Sequence, residues 1–201
     1  MIEEKLNNIY KVTHFTHLEY KNKTEIPSDL GHENYGEVTR KGVEMLVEHF
    51  KEYFNENTIL IPTPKSSLPQ KDDLWVPQRI TSALAGNGLG RSEDCLLRKT
   101  PLPRSSKVSA PNRPKASQHY DSMNVRELLF KPKEIVLVDD VITRGATVLG
   151  AVNKLAEVFP ETKIRVFAVM RTISNSDEFS KIIDPCVGTV SLVGVDTFRS
   201  P

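Results

Sequence analysis

The chain has 201 residues, 38% apolar and 26% charged, a balance that excludes a disordered or low-complexity polypeptide and suits one domain with a substantial core. Its net charge of +1 excludes a general polyanion binder, so nucleic acid is not an expected partner. Cys95 and Cys186 stand alone, the N-terminus lacks a secretion pattern, and no apolar run is long enough to span a membrane; a cytoplasmic setting is expected.

Charge is uneven along the chain. Residues 1–58 carry eleven acidic and seven basic side chains, whereas residues 98–119 carry six basic ones and no acidic one. In chain order, Val43, Leu46, Val47, Phe50 and Phe54 share one helical face, which predicts an amphipathic helix over residues 35–54. Thr58-Ile59-Leu60-Ile61 reads as a short buried strand closed by Pro62 and Pro64. Pro77 suits the first turn of a helix running to Gly86, and the glycines at 86, 88 and 90 read as its stop. Cys95-Leu96-Leu97 is a further short strand.

Periodicity then lapses. Residues 99–120 contain Pro101, Pro103, Pro111 and Pro114 among serines and cations, which predicts a long loop of the kind that carries function. Residues 122–129 read as a short helix. Ile135-Val136-Leu137-Val138 is a continuous apolar run suited to a parallel strand covered on both faces. Residues 147–159 form a helix with Val148, Val152, Leu155 and Phe159 inward, and residues 164–169 and 189–193 are strands. The alternation indicates an α/β fold with an open, mostly parallel sheet flanked by helices. Ligands of such sheets bind beyond the carboxyl ends of strands, here after Ile61 and Val138.

The segment after Val138 carries the chemistry. Asp139 and Asp140 leave a buried strand where they can accept hydrogen bonds from vicinal hydroxyls. Thr143, Arg144, Gly145, Ala146 and Thr147 then form a tight turn into a helix, with hydroxyls, free amides and the positive end of the helix dipole ready for a phosphate. Gly145 allows close backbone approach to a ligand. Diol acceptors beside a phosphate cradle describe a ribose 5-phosphate site. A Walker-type loop is excluded, because no Gly-x-x-x-x-Gly-Lys occurs.

Residues 135–147 resemble the signature of type I phosphoribosyltransferases, which bind 5-phosphoribosyl 1-pyrophosphate (PRPP). The resemblance implies that family's fold, with a variable hood supplied here by residues 1–34 and the C-terminal 197–201, and a mobile basic loop at 98–120. It implies Mg²⁺, met by Asp139 and Asp140 through water, and transfer of the phosphoribosyl group to a nitrogenous base with release of pyrophosphate. The loop after Ile61, with Thr63, Pro64, Lys65 and Ser66, corresponds to the pyrophosphate loop. Arg98, Lys99, Arg104, Lys107, Arg113 and Lys115 are the cations of the closing loop, with Arg98 and Lys99 placed on pyrophosphate and Lys107 chosen as catalytic. A homodimer is compatible with this reading.

Two departures leave the subfamily open. Thr143 stands where hypoxanthine-guanine members carry an acidic residue, which turns the resemblance toward orotate-type and competence-associated members. Yet the paired cysteines of a zinc ribbon and the Arg-Gly-Phe-Asn stretch of the latter are missing. A PRPP sensor without transfer activity and a nucleic-acid-linked accessory protein are the alternatives. His14 and His17 read as ordinary polar histidines. His119 and Tyr120 suit packing or an acceptor contact, and Trp75 suits the core or a helix staple.

Overall fold

A computed structural model describes residues 10–14, 53–68, 70, 73–105, 108–172 and 186–200, with backbone alone for 10–14 and Cys186. Nine strands are described: β1 (Tyr10–His14), β2 (Ile59–Pro62), β3 (Arg91–Ser92), β4 (Leu96–Arg98), β5 (Met123–Val125), β6 (Glu134–Ile142), β7 (Lys163–Arg171), β8 (Cys186–Val193) and β9 (Asp196–Ser200). Three α-helices accompany them: α1 (Val76–Gly86), α2 (Ala116–Asp121) and α3 (Ala146–Val158). The main sheet has the order β3-β2-β6-β7-β1-β8-β9. Its first five strands run parallel, and β8 and β9 are antiparallel additions. The expected open, mostly parallel α/β sheet is what forms.

β6 is central because its residues suit burial on both faces. Ile135 and Leu137 pack with Val148, Leu149, Val152 and Leu155 of α3. Val136 and Val138 alternate to the other face and pack with Ile80 and Leu84 of α1, Phe54 and Phe167. The rings of Phe54 and Phe167 meet edge to face with centroids 5.2 Å apart. Each such buried side chain contributes about 1.5–3 kcal/mol of apolar burial, so these two layers dominate the stability. α1 follows β2 and covers one face, whereas α3 follows the adjacent β6 and covers the other. Such a divergence opens a crevice at the carboxyl ends of two neighbouring strands.

Several expectations are corrected. Residues 122–129 are not a helix: Met123–Val125 is β5, which pairs antiparallel with β4 in a separate two-stranded sheet. The predicted loop at 99–120 is not loop throughout, because it holds a 3₁₀ turn at Ala110–Asn112 and all but the last residue of α2. Gly150 of α3 lets α2 dock there, since a Cβ at that position would lie 2.6 Å from the Ala116 carbonyl oxygen. β6 does not end at Val138 but pairs with β7 through Ile142. Tyr10–His14 joins the main sheet between β7 and β8, so this part of the expected hood belongs to the core layer. Of the expected helix at 35–54, residues 35–52 lie outside the described residues, as do His17, Lys107 and the rest of 1–34.

Candidate functional site

The carboxyl ends of β2 and β6 are joined directly. The backbone N–H of Thr63 donates to the Val138 carbonyl at 2.8 Å, so the Thr63 loop leaves the sheet beside the acidic pair. A cleft of about 490 Å³ opens over the end of β6. Its wall brings together Asp139, Thr143, Arg144, Gly145, Ala146 and Thr147 from the signature segment with Arg113 from the basic segment. Asp140, the next residue along β6, is half-buried and is not part of that wall. Thr63, Pro64, Lys65, Ser66, Arg98 and Lys99 also lie outside it.

Asp139 is buried, and its carboxylate accepts the Asp140 N–H at 3.1 Å. Burial, reinforced by the neighbouring charge of Asp140, pushes the Asp139 carboxyl well above the usual range. A carboxyl held this way gains from any ligand donor or cation that reaches it. Asp140 accepts the Val141 N–H at 2.8 Å.

The turn after β6 is short, because α3 begins at Ala146. Gly145 caps it with φ +82°, a left-handed conformation, and offers no side-chain hydrogen bond to the first turn. No side-chain cap therefore occupies the first-turn amides of α3, and no acidic residue in that turn offsets the positive helix end. The space that Gly145 keeps free belongs to another residue. A Cβ there would lie 2.6 Å from Cγ1 of Val190 on β8, so the close approach is to the sheet.

Arg144 reaches away from the turn that starts α3. Its guanidinium donates to the Ala110 carbonyl at 3.4 Å and lies 3.9 Å from Asp196. Lys115 pairs with the same Asp196 carboxylate, whose proton affinity falls through that hydrogen bond and the charges of Lys115 and Arg144. These contacts fasten residues 110–115 along the cleft. Arg113, the cation they bring into the wall, has a buried Nε without a hydrogen-bond partner among the described residues. Its place in a basic, proline-rich stretch is the only sequence signal for it.

Arg98 works inward. It is 5% exposed and donates to the Lys65 carbonyl at 2.8 Å, to the Pro64 carbonyl at 3.3 Å and to the Ser122 hydroxyl. Burial lowers its pKa to about 10, still a cation at neutral pH. The guanidinium thus braces the Thr63 loop from behind, and Trp75 does the same by donating its indole N–H to the Thr63 carbonyl at 2.8 Å. Lys65 pairs with Asp73 at 2.7 Å. Lys99 is exposed.

No protein-family model matches the sequence, and no curated protein matches it. Among solved structures the chain is similar to an adenine phosphoribosyltransferase from Leishmania tarentolae, at 13% identity and a TM-score of 0.40, over 84% of this chain and 86% of that one. It is also similar to a hypoxanthine phosphoribosyltransferase from Staphylococcus aureus, at 10% identity and a TM-score of 0.34, over 69% and 68% of the two chains. A hypoxanthine phosphoribosyl transferase from Trypanosoma cruzi gives 13% identity and 0.34 over 74% and 84%.

Proposed function

We propose that the chain binds PRPP in the cleft at the end of β6 and transfers its phosphoribosyl group to a nitrogenous base. The observation that carries this is one cleft wall that joins a carboxylate, Asp139, to the uncapped, hydroxyl-flanked start of α3. A ribose 5-phosphate needs both: acceptors for its diol and amides for its phosphate. The Thr63 loop, tied to Val138 and carrying Lys65, supports a neighbouring place for the pyrophosphate.

In this mechanism the bond from the anomeric carbon to the pyrophosphate oxygen breaks and its electron pair leaves with pyrophosphate. A nitrogen of the base forms the new bond and gives its proton to solvent. Positive charge on the ribose grows near Asp139, and negative charge on the leaving oxygens meets Lys65 and Arg113. Mg²⁺ would be carried mainly by ligand phosphates and water, with Asp139, the carboxyl that lines the cleft, to hold it there. When bound, the ion would supply Lewis-acid stabilisation of the leaving group.

Thermal denaturation tests the binding half. PRPP with Mg²⁺ should raise the melting temperature and ATP with Mg²⁺ far less, since only a ligand of the native state stabilises it. Equal shifts, or none with PRPP, would remove the proposal. Pyrophosphate release measured against a panel of bases and amines tests the transfer and identifies the acceptor.

A further inference from the structure

His119 lies on α2, 3% exposed, and its Nε2 is 3.3 Å from the Thr147 hydroxyl in the first turn of α3. Gly150, one turn further along α3, makes the approach possible, because a Cβ there would lie 2.8 Å from that of His119. The ring is neutral at physiological pH, since burial and then the charge of Arg98 push its pKa down to about 4. A neutral imidazole carries one N–H and one bare nitrogen. Nδ1 is buried with no hydrogen-bond partner among the described residues. If Nδ1 held the proton, a buried N–H would have no acceptor, a rare and costly arrangement. The proton therefore belongs on Nε2, which must donate to the Thr147 oxygen. The Thr147 hydroxyl then keeps its own proton free, and Thr147 lines the cleft.

We propose that His119 is a positioning residue for the phosphate turn: by donating from Nε2 to Thr147 Oγ1, it orients the Thr147 hydroxyl as a donor to a ligand phosphate oxygen. This rests on the ribose 5-phosphate reading of the cleft. The opposite tautomer would take the hydroxyl proton from Thr147 and present lone pairs to the anion. A buried histidine behind the cleft wall thus sets the polarity of a hydroxyl in front of it.

Ring-¹⁵N NMR of the whole protein and calorimetric titration with ribose 5-phosphate test this together. The spectrum should show His119 protonated at Nε2. Thr147→Val should weaken ribose 5-phosphate about tenfold, as expected for one hydrogen bond to a charged group. His119→Phe should weaken it comparably, and adding Thr147→Val to it should cost little more. His119→Gln, whose amide can donate from near the Nε2 position, should recover most of the affinity and guards against a folding defect in the Phe variant. An Nδ1-protonated ring, or His119→Phe binding like wild type while Thr147→Val is weakened, overturns the positioning role and leaves the cleft reading intact. A wild-type protein that binds no ribose 5-phosphate overturns both.

Discussion

Gly145 and Val190 meet so closely that a single added carbon on the glycine would fall 2.6 Å from Cγ1 of the valine. The contact joins the turn that starts α3 to β8, and so anchors the start of the helix to the sheet. Any side chain at 145 meets two independent costs: the left-handed φ, about 1–2 kcal/mol, and overpacking, about 1–3 kcal/mol. Gly145→Ala should therefore lose about 3 kcal/mol in urea denaturation. Measured against Val190→Ala alone, which carries its own cost for truncating a buried side chain, Gly145→Ala should lose only the backbone share. Full stability in Gly145→Ala alone would show that the turn can move away from β8. Phosphate binding by Gly145 variants is interpretable only in the Val190→Ala background, where the collision is relieved.

Asp139 gives a trade between stability and binding. Its folded pKa lies above the ordinary 3.8, so the folded state holds the proton more tightly than the unfolded chain. The stabilisation tied to that proton is complete below pH 3.8 and is lost as pH rises from there through the folded value. Asp139→Asn removes the buried charge, so it should melt higher than wild type at pH 7, with the gap closing toward pH 4. The same substitution should weaken ribose 5-phosphate by removing an acceptor for its diol. A variant that melts lower at pH 7 would mean that the carboxylate is stabilised where it sits.

His119 has the opposite linkage. Its folded pKa of about 4 is below the ordinary 6.5, so its contribution is present above pH 6.5 and is lost as pH falls toward 4. Wild-type stability should drop by up to about 3 kcal/mol across that window. His119→Gln should lack this part of the slope, and comparing the two proteins in urea at several pH values isolates it from Asp139. Parallel pH profiles would place the ring in contact with water.

The legibility of each element in the sequence depends on what it packs against. β6 shows because burial on both faces demands the unbroken run Ile135–Val138, and α3 shows because one face meets the core at helical spacing. The resumption of apolar residues at Val141 and Ile142 is the fainter sign that the strand continues past the acids. β5 is disguised because Val125, Leu128 and Leu129 mimic a helical stripe. Its strand character comes from pairing with β4, a partner about 27 positions earlier. α2 spans only six residues, too few to display a period among the surrounding prolines. At the site, residue types point to Asp139 and the Thr143–Thr147 turn. They cannot show that Arg98 faces inward, because nothing local distinguishes a brace from a ligand cation.

Arg98 should prove structural. Arg98→Met keeps the bulk but leaves two loop carbonyls and the Ser122 hydroxyl without this donor. Losing hydrogen bonds from a buried charged group should cost about 2–4 kcal/mol. Hydrogen exchange should quicken in the loop after β2, and PRPP should bind more weakly. Unchanged stability would place the guanidinium in solvent and return it to the pyrophosphate ligands.

Lys65 separates the two halves of the proposed site. Its ammonium meets Asp73 at 2.7 Å, and the hydrogen bond to that lysine holds the Asp73 carboxyl below its ordinary range. Both side chains keep contact with solvent, so the pair is worth little to the fold and Lys65→Ala should melt like wild type. Its effect should appear in ligand discrimination. PRPP carries a pyrophosphate that ribose 5-phosphate lacks, so Lys65→Ala should weaken PRPP by about tenfold and leave ribose 5-phosphate unchanged. Asp73→Asn frees the lysine from its carboxylate and should act in the other direction, tightening PRPP alone. Calorimetric titration of both ligands against both variants decides the assignment. If Lys65→Ala weakens the two ligands equally, the loop after β2 is not a pyrophosphate site, and Arg113 becomes the cation to test in its place.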